Sequence, residues 1–228
     1  MLALPMRLAI VVPTLNEEAG LRHNLPAALA AADQVVVSDG GSTDGTLAVA
    51  GELGARVISG PPGRGGQLTR GAEATDAPLL LFLHADTRLP PDGVPRICEA
   101  VTGGAVGGGF LVRFDVGGAL LRLGERLINA RTRLTRLPLG DQAQFVTRDA
   151  FRALGGYRDW PILEDLDFAL RLRRLGRTVL IASPVTTAAR RFVQQGIART
   201  VTTNWLIWLL FFCGVSPHRL ARLYRQIR

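Results

Sequence analysis

The sequence predicts an α/β fold built on a doubly wound, mostly parallel sheet. Three observations predict it. Over the first 84 residues, short apolar runs alternate with Ala- and Leu-rich stretches in βαβαβαβ order. The turns after the first, second and fourth apolar runs carry Asp, Asn, Ser or Thr, the residues that end strands and start helices. The chain has 228 residues, 47% of them hydrophobic, enough for one large core with a terminal appendage.

Taken in order, Arg7 to Val12 reads as a buried strand. Glu17 to Ala32 reads as a helix, with Pro26 as a kink. Gln34 to Ser38 is the second strand. Asp44 to Leu53 is a helix whose cap candidates are Ser42, Thr43 and Asp44. Arg56 to Ser59 is the third strand, and residues 60–66 form a Gly/Pro loop. Gln67 to Thr75 is a helix, and Leu79 to Leu83 is the fourth strand. Beyond Asp86 the alternation changes. Asp92 to Val101 is helical and Gly103 to Val116 is a Gly-rich strand region. Leu120 to Leu137 is an amphipathic helix, with Leu120, Leu123, Leu127 and Leu134 as its apolar stripe. Gln144 to Val146 is a short strand, Leu163 to Leu175 a helix closed by Gly176, and Arg177 to Ala182 a strand. Gln194 to Phe212 and Pro217 to Ile227 are helical. Residues 1–190 form the domain; residues 191–228 form a basic, aromatic helical segment.

All 27 basic residues are Arg. Residues 1–167 hold 16 Arg and all 19 carboxylates, whereas residues 168–228 hold 11 Arg and no Asp or Glu. A basic end of this kind points to a polyanionic partner: a membrane surface, a phosphorylated ligand or nucleic acid. Cys98 and Cys213 match no metal spacing and read as buried thiols in a reducing compartment. No secretory signal is read at the start. The longest apolar stretch, Trp205 to Val215, has 11 residues, against about 20 for a bilayer span. The expected location is cytoplasmic, peripheral to the inner membrane face.

The chemistry collects at the carboxyl ends of the strands, where open α/β sheets bind ligands. The fourth strand runs into His84-Ala85-Asp86-Thr87. A carboxylate there can hold a divalent cation, and the cation a pyrophosphate; a plain Asp-Thr turn is the other reading. The first strand ends Val12-Pro13-Thr14-Leu15-Asn16-Glu17-Glu18. The second ends in Asp39-Gly40-Gly41-Ser42-Thr43-Asp44. Asn16, Ser42 and Thr43 suit helix caps, whereas Asp39 sits too early for one and can accept from a base N–H or a ribose hydroxyl. Arg64 lies among Gly63, Gly65 and Gly66, where the backbone can approach closely and a guanidinium can meet pyrophosphate or simply be solvated. Asp165 opens an amphipathic helix, whose first-turn dipoles favour negative charge. Asp167 and Arg171 read as an i,i+4 ion pair.

These motifs, in this order and covering residues 7–182, resemble the family 2 glycosyltransferases of GT-A fold. The resemblance implies that Pro13, Thr14 and Glu17 line the base and ribose, and that Asp39 binds the base, commonly uracil. It implies that Arg64 and Gln67 approach the nucleotide, and that His84 and Ala85 lie along it. Asp86 matches the last carboxylate of the metal-binding Asp-x-Asp motif, so a Mg²⁺ or Mn²⁺ cofactor is implied. His84 stands where that motif has its first Asp; it can ligate Mn²⁺, bond the ribose or a phosphate, or be structural. Gly41 adds a residue to the commoner Asp-Asp-Gly-Ser pattern. Asp165 matches the general base, with Glu164 beside it. A finer likeness, through residues 127–138, Gly140-Asp141-Gln142 and the C-terminal Thr203-Asn-Trp-Leu, is to a short bacterial subgroup labelled arsenosugar-biosynthesis glycosyltransferases. Asp141 and Gln142 either line the acceptor or only form a turn.

The implied reaction is inverting transfer from a nucleotide-diphosphate sugar, UDP-linked by preference, to a hydroxyl on a small-molecule or lipid acceptor. A sugar-phosphate nucleotidyltransferase would carry a Gly-rich Thr-Arg-Leu signature where this chain has Pro-Thr-Leu-Asn-Glu. A nucleic-acid-binding domain would spread its basic residues over one surface, whereas here they gather at one end, so nucleic acid is not expected as a partner. A non-catalytic nucleotide-sugar-binding domain is the remaining alternative, and His84 is its motive. The apolar, Arg-flanked segment from Thr203 to Val215 either packs on the domain or on a second subunit, as in a homodimer, or lies in a membrane interface. Arg222, Arg225 and Arg228 follow it at spacings of three.

Overall fold

The computed structural model describes residues 6–227; Met1–Pro5 and Arg228 lie outside the described residues, as does the Arg225 side chain. β1 (Leu8–Thr14), α1 (Glu18–Ala31), β2 (Gln34–Asp39), α2 (Thr46–Glu52), β3 (Arg56–Ser59), α3 (Arg64–Glu73) and β4 (Leu79–Phe82) alternate as the sequence predicts. Then come β5 (Thr87–Arg88), α4 (Gly93–Thr102), β6 (Gly107–Phe114), α5 (Ala119–Thr135), β7 (Phe145–Thr147), α6 (Arg148–Leu154) and α7 (Glu164–Leu175). β8 (Thr178–Thr187), α8 (Arg190–Gln195), α9 (Ile197–Phe212) and α10 (Pro217–Ile227) complete the chain.

Among the described residues the strands form one sheet in the order β3-β2-β1-β4-β7-β6-β8-β5. β1 pairs in parallel with both β2 and β4, so Val11 lies between Val36 and Phe82. The winding reverses between β1 and β4, which opens a crevice at their carboxyl ends, the ligand position of such sheets. β7 runs antiparallel to β4 and β6, while β6 and β8 are parallel.

β1 and β4 are buried on both faces, which is why they read as continuous apolar runs rather than alternations. Leu8, Ile10, Val12, Leu79 and Leu81 pack on one side with Leu21 and Leu25 of α1. Ala9, Val11, Leu80 and Phe82 pack on the other with Leu68, Phe151, Tyr157 and Phe168. There Tyr157 stacks on Phe168 at 4.1 Å between ring centroids and meets Phe82 edge-on at 4.9 Å.

Several elements differ from the sequence reading. α1 runs through Pro26 as one continuous helix. α2 starts at Thr46 with Gly45 at its N-cap position; Asp44, one residue earlier, accepts the Thr46 amide at 3.0 Å, while Ser42 and Thr43 do not cap the helix. Asn16, at φ 55°, does not cap α1; its Oδ1 accepts the Thr43 amide at 2.8 Å. Cys98 is only half-buried and Cys213 is exposed. β8 runs past Pro184 to Thr187. Pro184 lacks an N–H, but the register shifts between Phe110 and Leu111 and the ladder resumes.

The predicted face of α5 is reversed. Leu120, Leu123, Leu127 and Leu134 are 69, 49, 43 and 87% exposed, while Glu125 and Thr132 are buried. The cause lies in β6. β7 pairs with it only at Gly107 and Gly108, so backbone groups farther along that edge need partners. α5 supplies them from side chains. Asn129 exchanges two hydrogen bonds with the backbone of Val112, both 2.9 Å, and Glu125 accepts the Phe114 amide at 2.6 Å.

Candidate active site

The ends of β1 and β2 are tied together from below. Gln67 is buried, and its Nε2 donates to the carbonyls of Thr14 (2.7 Å) and Ser38 (2.9 Å), while its Oε1 accepts the Gly63 amide. The Gln67 amide is therefore committed to the backbone and does not extend into the crevice. Gly65 is required by a protein contact: a Cβ there would stand 2.1 Å from the Arg158 carbonyl.

Asp39 ends β2 with no exposed surface. Its Oδ2 accepts the amides of Gly41 (2.7 Å) and Ser42 (2.8 Å), and its Oδ1 accepts the hydroxyls of Ser42 and Thr14. Burial pushes its pKa up, but these donors outweigh burial and hold it below the usual value. The extra Gly41 fits because it adopts φ +96°, which turns its amide back onto the carboxylate. Pro13 lies in register with Ser38, at the mouth of the same loop.

Across the crevice, the turn after β4 places His84, Ala85 and Asp86. The Ala85 carbonyl accepts from Asn24 Nδ2 at 2.9 Å, and Asp86 Oδ1 accepts the Thr87 hydroxyl at 3.3 Å. Burial raises the pKa of Glu17, and the nearby Asp86 charge raises it further, against the opposing charges of Arg190 and Arg64. Arg190 approaches Glu17 at 3.8 Å. Sequence reasoning missed Arg190. The extended β8 carries it there, and the Ala188 amide donates to the Asp86 carbonyl at 3.2 Å. A strand longer than its apolar run was the signal to find.

The third wall is the start of α7. Leu163 precedes it at φ 63°, a conformation leucine rarely adopts. Packing beside Leu137, Leu166 and the half-buried Trp208 and Phe211 of α9 holds it there. Asp165 Oδ2 accepts the Gly140 amide at 2.8 Å and Oδ1 accepts the Leu166 amide at 2.7 Å. His84 faces the same loop: a Cβ on Gly140 would stand 2.9 Å from His84 Nε2 and 3.2 Å from Asp165 Oδ2. Gln144, also missed, donates to the carbonyls of Pro138 (2.8 Å) and Asp165 (3.0 Å) and accepts from the buried Tyr157 hydroxyl. Gln142 is fully buried, bonded to Thr132, Arg131, Leu139 and Phe110, so it shapes this loop and does not line an acceptor. Asp167 pairs with Arg171 at 2.7 Å, as its spacing predicts, and with Arg158 at 3.1 Å.

Arg64 joins the walls. It stands in the first turn of α3, which starts three residues earlier than the sequence suggests, and reaches Glu164 at 3.4 Å. Desolvation works against its charge, but Glu164, Asp165, Asp141 and Asp86 together outweigh it and raise the Arg64 pKa. Glu164 is 3% exposed. Burial, then the adjacent Asp165, raises its pKa to about 7, with Arg64 opposing.

Among the described residues no three His, Cys, Asp or Glu side chains could hold a metal ion by themselves. Mg²⁺ and Mn²⁺ bind through one or two carboxylates when substrate phosphates and water complete the shell. Asp86, at the open crevice beside His84 and Glu17, fits that requirement.

The family model described as glycosyl transferase family 2 matches residues 9–193. An uncharacterised glycosyltransferase of Mycobacterium tuberculosis is 35% identical over 100 residues, 42% of this chain and 44% of that protein. An undecaprenyl-phosphate 4-deoxy-4-formamido-L-arabinose transferase of Shewanella sediminis is 31% identical over 135 residues, 53% of this chain and 41% of that protein. The chain thus spans less than half the length of these curated relatives. The fold matches glucosyl-3-phosphoglycerate synthase from Mycobacterium tuberculosis, a structure with Mn²⁺, UDP-glucose and phosphoglyceric acid. The TM-score is 0.61 at 24% identity, over 92% of this chain and 81% of that one. It also matches a Pyrobaculum calidifontis mannosyltransferase with GDP-Man and Mn²⁺ (TM-score 0.62, 17% identity, 90% and 63% coverage). The sheet order, the crevice at its switch point and these matches make the fold GT-A, and the chain belongs to the family 2 glycosyltransferases.

Proposed function

We propose that the enzyme transfers a sugar, with inversion, from a nucleotide-diphosphate sugar to an acceptor hydroxyl. The observation that carries this reading is the Asp165 carboxylate, oriented by two backbone amides beside His84, across the crevice from the donor strand ends. A carboxylate offers about four lone-pair positions. With one used on each oxygen, Asp165 retains room to take the acceptor proton during attack on the far face of the sugar.

On the donor side, Thr14, Glu17 and Pro13 border the nucleoside, and Ala85 and His84 run along the ribose and phosphates. The Ser42 hydroxyl on Asp39 Oδ1 is the donor that a base N–H would replace; the preference for uracil rests on the family resemblance. Arg64, steered by Glu164, meets the diphosphate. A divalent ion held by Asp86 would supply charge stabilisation to the departing diphosphate. Asp141, whose charge acts on Arg64, borders the acceptor. Mn²⁺ beside UDP-glucose or GDP-Man in structures of the same fold supports the donor class and the ion.

The test is a thermal-shift screen of UDP, GDP and their sugars with and without Mn²⁺, because a specific ligand stabilises the fold by mass action. UDP with Mn²⁺ is expected to give the largest shift. No metal-dependent shift with any nucleotide would remove the reading.

A further inference from the structure

The outward side of the α5–α9 pair is apolar and basic at once. α9 lies along α5: a Cβ on Gly124 would stand 3.5 Å from Ile197, and the Arg131 guanidinium sits 4.8 Å over the Trp208 ring. Both helices turn their buried residues inward, Glu125 and Thr132 on α5 and Thr200 and Ile207 on α9. The exposed residues therefore share the outer side. On α5 these are Leu120, Leu123, Leu127 and Leu134; on α9 they are Trp205, Leu209 and Phe212, at 59, 62 and 57% exposure. Leucines at 120, 123, 127 and 134 make one continuous helical stripe. Among the described residues no helix is long and apolar enough to cross a membrane.

On α5, α9 and α10 the exposed charge has one sign. Arg126 and Arg133 of α5 and Arg219 and Arg222 of α10 are exposed. The single carboxylate of α5, Glu125, is buried on the β6 backbone, and residues 168–228 contain no Asp or Glu. A second copy of the same face would bring Arg against Arg. An anionic surface meets the Arg while its hydrocarbon takes the leucines and Trp205, the pattern of helices that lie in a membrane interface.

We propose that the α5–α9 face seats the enzyme on an anionic lipid bilayer, with both helices parallel to the surface. The surface is distinct from the nucleotide crevice, so its binding is read without turnover. Trp208 and Phe211 of α9 pack on the cluster of Leu137, Leu166 and Ala169, against which Leu139 and Leu163, neighbours of Gly140 and Glu164, also pack. The bilayer thus lies roughly one helix diameter, about 10 Å, from the Asp165 wall.

The test is vesicle flotation of the full chain on phosphatidylglycerol/phosphatidylcholine and on pure phosphatidylcholine, at low and high salt, with sedimentation velocity alongside. Flotation with the anionic vesicles is expected, weakened by salt. Leu123→Glu/Leu127→Glu and Trp205→Ser/Leu209→Ser are each expected to lower partitioning by about tenfold or more. Arg126→Gln/Arg133→Gln, which leaves the apolar residues in place, is expected to lower it on anionic vesicles alone. Absence of flotation at low salt, or wild-type flotation of all three variants, overturns the proposal. So does a wild-type dimer that these substitutions convert to monomer, because a second copy would then cover the face.

Discussion

The Gly140 amide donates to Asp165 Oδ2 at 2.8 Å, and this one bond joins the loop before β7 to the first turn of α7. The carboxylate proposed as the base is thus fixed from two elements, its own helix and a loop facing His84. Asp165→Asn preserves the shape and can no longer take the acceptor proton. Turnover is expected to fall by about 10²–10⁴-fold, with nucleotide-sugar affinity unchanged by calorimetry. Near-normal turnover would rule Asp165 out as the base.

Gly140→Ala introduces a methyl group 2.9 Å from His84 Nε2 and 3.2 Å from Asp165 Oδ2. Overpacking of this kind costs about 1–3 kcal/mol, and here the strain falls on the two side chains that meet at the loop. The expected signature is a large drop in kcat with a modest drop in Tm and little change in donor affinity. Equal losses in every quantity would mean that the loop is only structural.

Glu164 has its pKa raised to about 7 by burial and by the Asp165 charge. In the unfolded chain it titrates near 4.5. Between these values the folded protein holds a proton that the unfolded chain has released, so stability falls as pH rises through that window. Glu164→Gln removes this dependence. The variant is expected to be more stable than wild type at pH 8, by on the order of 2–3 kcal/mol at most, with the difference closing toward pH 4.5. Parallel Tm curves for the two proteins from pH 4.5 to 8 would contradict this.

Asp86 and His84 separate the metal from the imidazole. Asp86→Asn is expected to abolish the Mn²⁺-dependent part of the UDP thermal shift and to leave the metal-free part. His84→Ala is expected to keep most of the metal-dependent shift while slowing transfer, since His84 Nε2 lies toward Gly140 and Asp165. Loss of the metal shift in His84→Ala alone would reassign the ion to the imidazole.

Much of this arrangement was legible in the sequence because β1 to β4 are local units. Each strand, turn and helix announces itself by an apolar run and a polar stop, and Asp39 and Asp86 fall at those stops, whereas Asp165, in the first turn of α7, was singled out by the family resemblance. What stayed hidden involves polar side chains that serve the backbone. Gln67 and Gln142 are buried because carbonyls and amides near them need partners, and no periodicity reveals that need. The same cause reversed α5: Glu125 and Asn129 turn inward to complete the β6 edge, and the leucines are left outside. Arg190 was out of sight because the apolar run ends at Ala182, whereas a register shift carries β8 past Pro184 to Thr187.

The three glycines of β6 set an order of assembly. Gly107 pairs with Val146 and with Thr178, and a Cβ on Gly108 would collide with the Val179 carbonyl at 1.9 Å. The three-glycine start of β6 offers little for a collapsing chain to bury, and the strands it pairs with, β7 and β8, are separated from it by long stretches of chain that must close first. β1 pairs with β2, and β2 with β3, across single short helices, and β1, β2 and β4 bury large aliphatic side chains. The half of the crevice proposed for the nucleotide is therefore expected to condense early, and the Asp165 wall to lock in last. Catalytic competence is then the final property the chain acquires, after the pocket for its donor has already taken shape.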